Sequence, residues 1–205
     1  LKCRIIGAGS NLLVNNIFIK GLVICTKKMK NLSVEPFSGN IEAEAGVMLP
    51  TLSNLLAKNG LKGGEWAVGI PGTLGGAICM NAGSGKLSLA NYLLSVKVIN
   101  TKTLEIQEIE RKDINFKYRF SPFQNNDLII LSAKLNFEPK GDIEQLLKTT
   151  KNNLKVKTES QPYHLPSFGS VFKNPTNNYA AKLIDELGLK GFKIGGAEIS
   201  TMHAN

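Results

Sequence analysis

Trp66-Ala67-Val68-Gly69-Ile70-Pro71-Gly72-Thr73-Leu74-Gly75-Gly76-Ala77-Ile78-Cys79-Met80-Asn81-Ala82-Gly83 is so dense in glycine, alanine and proline that no regular element is expected over residues 69–85. Glycine loses more backbone freedom on folding than any other residue, so this run would cost several kcal/mol if it did nothing but turn the chain. Main chain brought close to a large flat or phosphorylated ligand accounts for that cost. The alternative is a tight bend packed on the core.

Upstream lies a second glycine block, Gly7-Ala8-Gly9-Ser10-Asn11-Leu12-Leu13-Val14, entered from a short apolar strand over residues 3–6 that starts near Lys2. Backbone N–H groups turned toward one point, with a Ser hydroxyl beside them, make a phosphate cradle. The block lacks the third glycine of a dinucleotide fingerprint and the Lys of a P-loop, and a plain strand-ending turn is the competing reading.

Around these blocks, a second strand is expected over residues 18–26. Period-two alternation marks a strand over 42–47. Leu49, Leu52, Leu55 and Leu56 share one face of a helix that ends at Gly60. Further strands are expected over 95–100, 104–109 and 128–137, the first two joined as a hairpin. Asp142 is placed to cap a helix with Ile143, Leu146 and Leu147 inward. The proline-containing residues 159–166 read as a linker, and beyond them Ala180, Leu183, Ile184 and Leu187 share a helix face closed by Gly188. Strands followed by helices, with few βαβ units, predict an α+β fold with domains over 1–158 and 159–205.

The 25 Lys+Arg against 16 Asp+Glu leave a net charge of +9, which favours anionic partners. The lysines are dispersed and aromatics are only 7%, so no nucleic-acid stacking platform is expected. No apolar run is long enough to span a bilayer, so a cytoplasmic protein with no membrane partner is expected. Cys3, Cys25 and Cys79 are odd in number and scattered, which argues against disulfides and against any metal site; each is expected to be a small buried hydrophobe. The chain opens on Leu1 inside a strand and stops at His203-Ala204-Asn205 without a cap, so both ends are expected to lie within a longer protein.

The two glycine blocks, together with Met80-Asn81-Ala82-Gly83, Tyr118-Arg119-Phe120-Ser121, Ser167-Phe168-Gly169-Ser170-Val171-Phe172-Lys173-Asn174-Pro175, Gly195-Gly196-Ala197-Glu198 and His203-Ala204-Asn205, occur in an order that resembles the UDP-N-acetylenolpyruvoylglucosamine reductase family. The resemblance covers essentially the whole chain and is closest to the shorter subclass, since no long inserted loop follows Tyr118. It implies a FAD-binding fold of the vanillyl-alcohol-oxidase type, followed by a smaller α+β substrate-binding domain. It also implies non-covalent FAD, NADPH as reductant, UDP-N-acetylglucosamine enolpyruvate as substrate, and a monomer.

By the same resemblance, Gly7, Ala8, Gly9, Ser10, Asn11, Leu12, Gly69, Ile70, Pro71, Gly72, Thr73, Gly75, Gly76, Ala77, Asn81 and Gly83 hold the cofactor. Arg119 would stabilise charge on the substrate carboxylate, Ser170 would donate the proton, and Tyr118, Lys157, Lys173 and Asn174 would contact substrate. Glu198 stands where many relatives carry Gln. The family's catalytic Glu has no matching position, so these 205 residues alone are expected to turn over little substrate. Two rivals stay open: an oxidase of the same fold with flavin tethered to His164 or Cys79, and a noncatalytic anion-binding module.

Overall fold

The computed structural model describes residues 3–15, 18–124 and 127–205. Lys2, expected at the start of the first strand, lies outside them. The chain forms two compact units, Leu1–Asn153 and Leu154–Asn205.

The first unit is built on a five-stranded antiparallel sheet. Its strands are β3 (Leu32–Glu35), β4 (Asn40–Glu44), β7 (Leu93–Asn100), β8 (Ile106–Glu110) and β9 (Leu128–Asn136), in the order β3-β4-β9-β7-β8. Register puts the apolar residues on one face: Ile41 opposite Leu135, Ala43 opposite Ala133, Val96 opposite Ala133 and Val98 opposite Ile130, all buried. The opposite face carries Glu42 against Lys134 and Lys97 against Glu108, with a Lys134–Glu108 ion pair at 2.8 Å. One dry face and one charged face are what period-two strands of this composition demand.

Helices α1 (Leu49–Lys58) and α2 (Leu74–Cys79) contribute Leu49, Leu52, Leu56, Leu74, Ala77 and Ile78 to the same core as the buried sheet face. Fully burying each leucine contributes roughly 1.5–3 kcal/mol. Ser53 is buried in α1 and its hydroxyl donates to the Gly64 carbonyl at 2.8 Å, so the one polar group on that face is satisfied. Asn59 caps the helix and Gly60, at φ +67°, turns the chain away.

Helix α2 corrects the expectation that residues 69–85 hold no regular element. Two glycines make a poor helix former, but tertiary contacts override propensity here. The Leu74 and Gly75 N–H groups donate to the carbonyls of Val47 and Ala45, and a Cβ on Gly75 would sit 2.9 Å from the Ala45 methyl. The small residues let the helix lie directly on the segment after β4. Two short strands follow, β5 (Gly83–Ser84) and β6 (Leu87–Ser88), paired antiparallel.

Strands β1 (Cys3–Ile6) and β2 (Leu22–Cys25) pair in parallel. β2 is shorter than the expected 18–26. Cys25, expected to be buried, is exposed, its thiol directed at the Gly7 carbonyl. The hairpin between β7 and β8 is present, but β8 begins at Ile106: Leu104 is left-handed at φ +62°, and the Asn100 side chain accepts from the Lys102 and Thr103 N–H groups. Residues 45–47 leave β4 for a turn in which the Val47 N–H meets the Glu44 carbonyl.

Asp142 caps α3 (Ile143–Ser160) as expected, accepting from the Glu144 and Gln145 N–H groups at 2.9 and 3.2 Å. Only Leu146 and Thr150 are buried on α3; Ile143 and Leu147 are exposed. The linker expected from residue 159 starts later, because the helix runs through Ser160.

In the second unit, α4 (Ala180–Glu186) buries Ala180 and leaves Leu183 and Leu187 exposed, contrary to the expected inward face, with left-handed Gly188 beyond it. The short strands β10 (Lys193–Ile194) and β11 (Ala197–Glu198) form an antiparallel pair. Among the described residues no helix is long and apolar enough to cross a membrane, and no cluster of His, Cys, Asp and Glu could hold a metal ion.

Candidate functional site

The two glycine blocks, about sixty residues apart in sequence, meet. The Ser10 hydroxyl donates to the Pro71 carbonyl at 3.1 Å across a separation of 61 residues. A Cβ on Gly72 would come 2.9 Å from the Ser10 oxygen, and one on Gly7 would come 2.3 Å from the Thr73 hydroxyl. Gly72, at φ +124°, also adopts a backbone conformation open only to glycine.

Thr73 sits between the blocks. Its backbone bridges Met48, its side chain is 2% exposed, and its Oγ1 is buried without a hydrogen-bond partner. A buried hydroxyl left unpaired costs about 1–3 kcal/mol. It fits a place that something else fills. Gly9, Ser10 and Asn11 form the turn beside it, Leu12 donating to the Gly9 carbonyl at 3.2 Å, while Pro71 and Gly76 are exposed and Gly69, Gly72 and Ala77 are buried behind them.

The far end of the second block, Gly83, is met by Arg119. Lys117 and Phe120 exchange backbone hydrogen bonds at 3.1 Å each way, closing a two-residue turn in which Arg119 is left-handed at φ +52°. A non-glycine residue there costs roughly 1–2 kcal/mol, the kind of strain that gathers at functional sites. The guanidinium donates to the Gly83 carbonyl at 2.9 Å and lies 5.1 Å from the centre of the half-exposed Tyr118 ring. The rest of its donor fork can meet an anion.

Asn81, left-handed at φ +42° and buried, donates to the Lys117 carbonyl and accepts from the Ala90 N–H. Both ends of its amide therefore serve the protein. Ser121 and Gln124 escaped the sequence reading altogether, although Ser121 stands inside a quoted motif. The Ser121 hydroxyl donates to the Cys79 carbonyl at 2.7 Å, and the Gln124 amide nitrogen contacts the carbonyls of Cys79 and Arg119. Cys79 has its thiol pushed up by burial and directed at the Phe123 carbonyl, a poor state for a nucleophile. That disfavours the covalent-flavin rival at this cysteine.

The second unit holds the remaining expected residues. Ser170 is exposed and follows Gly169, which is left-handed at φ +65° and donates to the Ser167 hydroxyl. Asn205 clasps Phe172 by accepting from its N–H at 2.8 Å and donating to its carbonyl at 3.0 Å, so the loop bearing Lys173 is fixed at one point. The Asn174 carbonyl oxygen accepts from the Ala180 N–H at the start of α4, which leaves its amide N–H₂ for other use. Lys157 is half-buried on α3, and Lys173 is exposed.

Comparison with known proteins gives 78% identity over 204 residues to a UDP-N-acetylenolpyruvoylglucosamine reductase of Prochlorococcus marinus subsp. pastoris, covering all of this chain and 69% of that protein. The chain belongs to the UDP-N-acetylenolpyruvoylglucosamine reductase family. A reductase of a second Prochlorococcus marinus strain is 48% identical over 205 residues, covering 70% of its length. The crystal structure of the reductase from Thermus caldophilus superposes with a TM-score of 0.84 at 31% identity, over 99% of this chain and 73% of that one. The family's C-terminal domain model matches residues 161–205, and a FAD binding domain model matches residues 1–109. Both glycine blocks lie within the second match. FAD is thus the cofactor, and the residues present fit it: two glycine blocks that meet where a Cβ would not fit, and an unpaired buried hydroxyl beside them.

Proposed function

We propose that this reductase converts UDP-N-acetylglucosamine enolpyruvate to UDP-N-acetylmuramate, with NADPH as reductant. The carrying observation is the meeting of the two glycine blocks around the unpaired Thr73 hydroxyl, with Arg119 held at the end of the second block. Bound FAD supplies two-electron hydride chemistry. The chain's own part is binding, charge stabilisation and proton delivery.

Gly7, Ala8, Gly9, Ser10, Asn11 and Leu12 face the cofactor from one side, and Gly69, Ile70, Pro71, Gly72, Thr73, Gly75, Gly76 and Ala77 from the other. Their N–H groups and the Ser10 and Thr73 hydroxyls suit a pyrophosphate. The enolpyruvyl ether accepts a hydride at its terminal methylene carbon, and the neighbouring carbon takes a proton. Negative charge grows toward the substrate carboxylate meanwhile, and the Arg119 guanidinium is the group to stabilise it. Ser170 delivers the proton from its hydroxyl. Lys157 and Lys173 are the cations to relieve the resulting alkoxide and to meet the substrate diphosphate; Tyr118 and the Asn174 amide complete the substrate contacts.

The net charge of +9 supports anionic small-molecule clients. With that chemistry the protein acts as a cytoplasmic monomer that binds neither membrane nor nucleic acid, and its product serves cell-wall construction, cell shape and division. The noncatalytic rival predicts oligonucleotide binding with a steep salt dependence and no flavin colour.

Thr73→Val tests the cofactor reading with two effects of opposite sign. Without cofactor, the variant is expected to melt no lower than wild type, because a partnerless buried hydroxyl is exchanged for a methyl. With FAD, the dissociation constant is expected to rise about 10-fold, the loss of one hydrogen bond to a charged group. Flavin fluorescence titration and thermal melts of both forms measure it. Unchanged affinity with a lowered apo melting temperature would return Thr73 to the core and remove its role at the cofactor.

A further inference from the structure

A left-handed arginine keeps its place only where its surroundings hold it there. The turn at residues 117–120 is held from outside by side chains of two other segments. Asn81 donates to the Lys117 carbonyl at 2.9 Å. Gln124 holds the other end: its Nε2 lies 3.0 Å from the Arg119 carbonyl oxygen, 3.1 Å from the Cys79 carbonyl oxygen and 3.4 Å from the Met80 sulfur. Both near oxygens are carbonyl acceptors, so the amide must present its nitrogen to them, and its two hydrogens can serve both at once. Cys79 closes α2, where a helix leaves its last carbonyls without intrahelical donors. Ser121 shares that carbonyl at 2.7 Å, and its hydroxyl also accepts from the Phe123 N–H. The backbone of Arg119 is thereby joined, through one amide nitrogen, to the end of the helix that follows the Thr73 cradle.

We propose that Gln124 is a positioning residue for substrate reduction, a role that rests on the assignment of Arg119 above. Its amide clamps the Arg119 turn to the last carbonyl of α2, so that the guanidinium stands at a fixed distance from the cofactor cradle. Gln124 touches neither cofactor nor substrate in this role. Its effect passes through Arg119, and without the clamp the turn can relax toward an ordinary right-handed geometry that re-aims the guanidinium.

Three substitutions separate the donor from the bulk of the side chain. Gln124→Glu turns a carboxylate oxygen on two carbonyls, Gln124→Ala removes the contact, and Gln124→Lys restores a donor with no acceptor. In the holoenzyme, flavin absorbance followed by stopped flow reads the two half-reactions separately. Reoxidation of reduced flavin by substrate is expected to slow about 10-fold in Gln124→Glu and Gln124→Ala, the size of effect that a sub-ångström misplacement produces. Reduction of flavin by NADPH and the affinity for FAD are expected to stay within about 2-fold, a split that a merely structural role would not give. Gln124→Lys recovers most of the loss. Gln124→Ala combined with Arg119→Ala is no slower than Arg119→Ala alone, because the two act as one unit.

Equal slowing of both half-reactions, no slowing of either, or additive losses in the double variant would each overturn the positioning role. Should Gln124→Glu fail to fold, Gln124→Ala and the double variant carry the same comparison. If Arg119→Ala leaves substrate-driven reoxidation untouched, the catalytic reading of Arg119 falls first and takes the positioning role with it; if Arg119→Ala is slow and the Gln124 variants are not, only the positioning role is lost.

Discussion

Arg119→Ala is expected to lower the rate of substrate-driven flavin reoxidation by about 10²–10³-fold, the usual consequence of removing one preorganised donor from a site of developing charge. The loss should fall on kcat more than on KM. The substrate carboxylate is already charged when it binds, and only the additional charge that arrives with the hydride distinguishes transition state from ground state. NADPH-driven reduction places no new charge on that carboxylate and should proceed near the wild-type rate. Arg119→Gly adds a control on folding. Glycine relieves a left-handed residue at φ +52°, worth roughly 1–2 kcal/mol, while losing a hydrogen bond to the Gly83 carbonyl and the contact with Tyr118, worth about as much. Its melting temperature should therefore lie close to that of wild type while its substrate-driven flavin reoxidation is as slow as that of Arg119→Ala. A glycine variant that is stable and fully active would show that the guanidinium has no part in the chemistry.

The close approach of the two glycine blocks was legible because its signal is compositional. A run of glycines has a backbone-entropy cost that close approach offsets, and the structure brings Gly7 to Thr73 and Gly72 to Ser10. Local signals also carried through: Asp142 caps α3 with its own side chain, and Gly60 and Gly188 follow their helices at positive φ. What was not legible is non-local. Helix α2 forms despite Gly75 and Gly76 because the Ala45 and Val47 carbonyls receive its first N–H groups, and no window of sequence around residue 75 contains them. The apolar spacing on α3 and α4 was read correctly as periodic, yet Ile143, Leu147, Leu183 and Leu187 are exposed, since period marks a stripe and not what covers it.

The Arg119 turn shows the same limit at the site itself. Arginine at a left-handed turn position runs against the local preference for glycine or asparagine. Asn81 reaches Lys117 across 36 residues, and Gln124, five residues from Arg119, ties the turn to Cys79 across 45 residues. The resemblance implies that Asn81 is a cofactor contact; in the structure its side-chain amide reaches to the turn that presents Arg119. Ser121 and Gln124 carry no compositional mark, and only the folded chain assembles them around one helix-end carbonyl.

Gly7→Ala should produce the largest change in cofactor binding. The added methyl would stand 2.3 Å from the Thr73 oxygen, with the Thr73 Cβ and methyl both at 3.4 Å, so rotating Thr73 exchanges one crowded atom for another. Thr73 is a β-branched residue whose backbone bridges Met48, and the adjoining Leu74 N–H is bound to Val47; it has little freedom to withdraw. Overpacking of this kind costs about 1–3 kcal/mol, which at 1.4 kcal/mol per decade corresponds to a roughly 5- to 140-fold weaker hold on FAD when the strain is borne by the cradle. Gel filtration of the yellow protein followed by fluorescence titration would measure it. Pairing the change with Thr73→Ala removes the crowding atoms but also the hydroxyl, so the double variant should recover apo stability fully and FAD affinity only in part. If Gly7→Ala retains flavin as tightly as wild type, the cradle does not lie between these two blocks. The glycines would then be packing residues, and the unpaired hydroxyl beside them would need another partner.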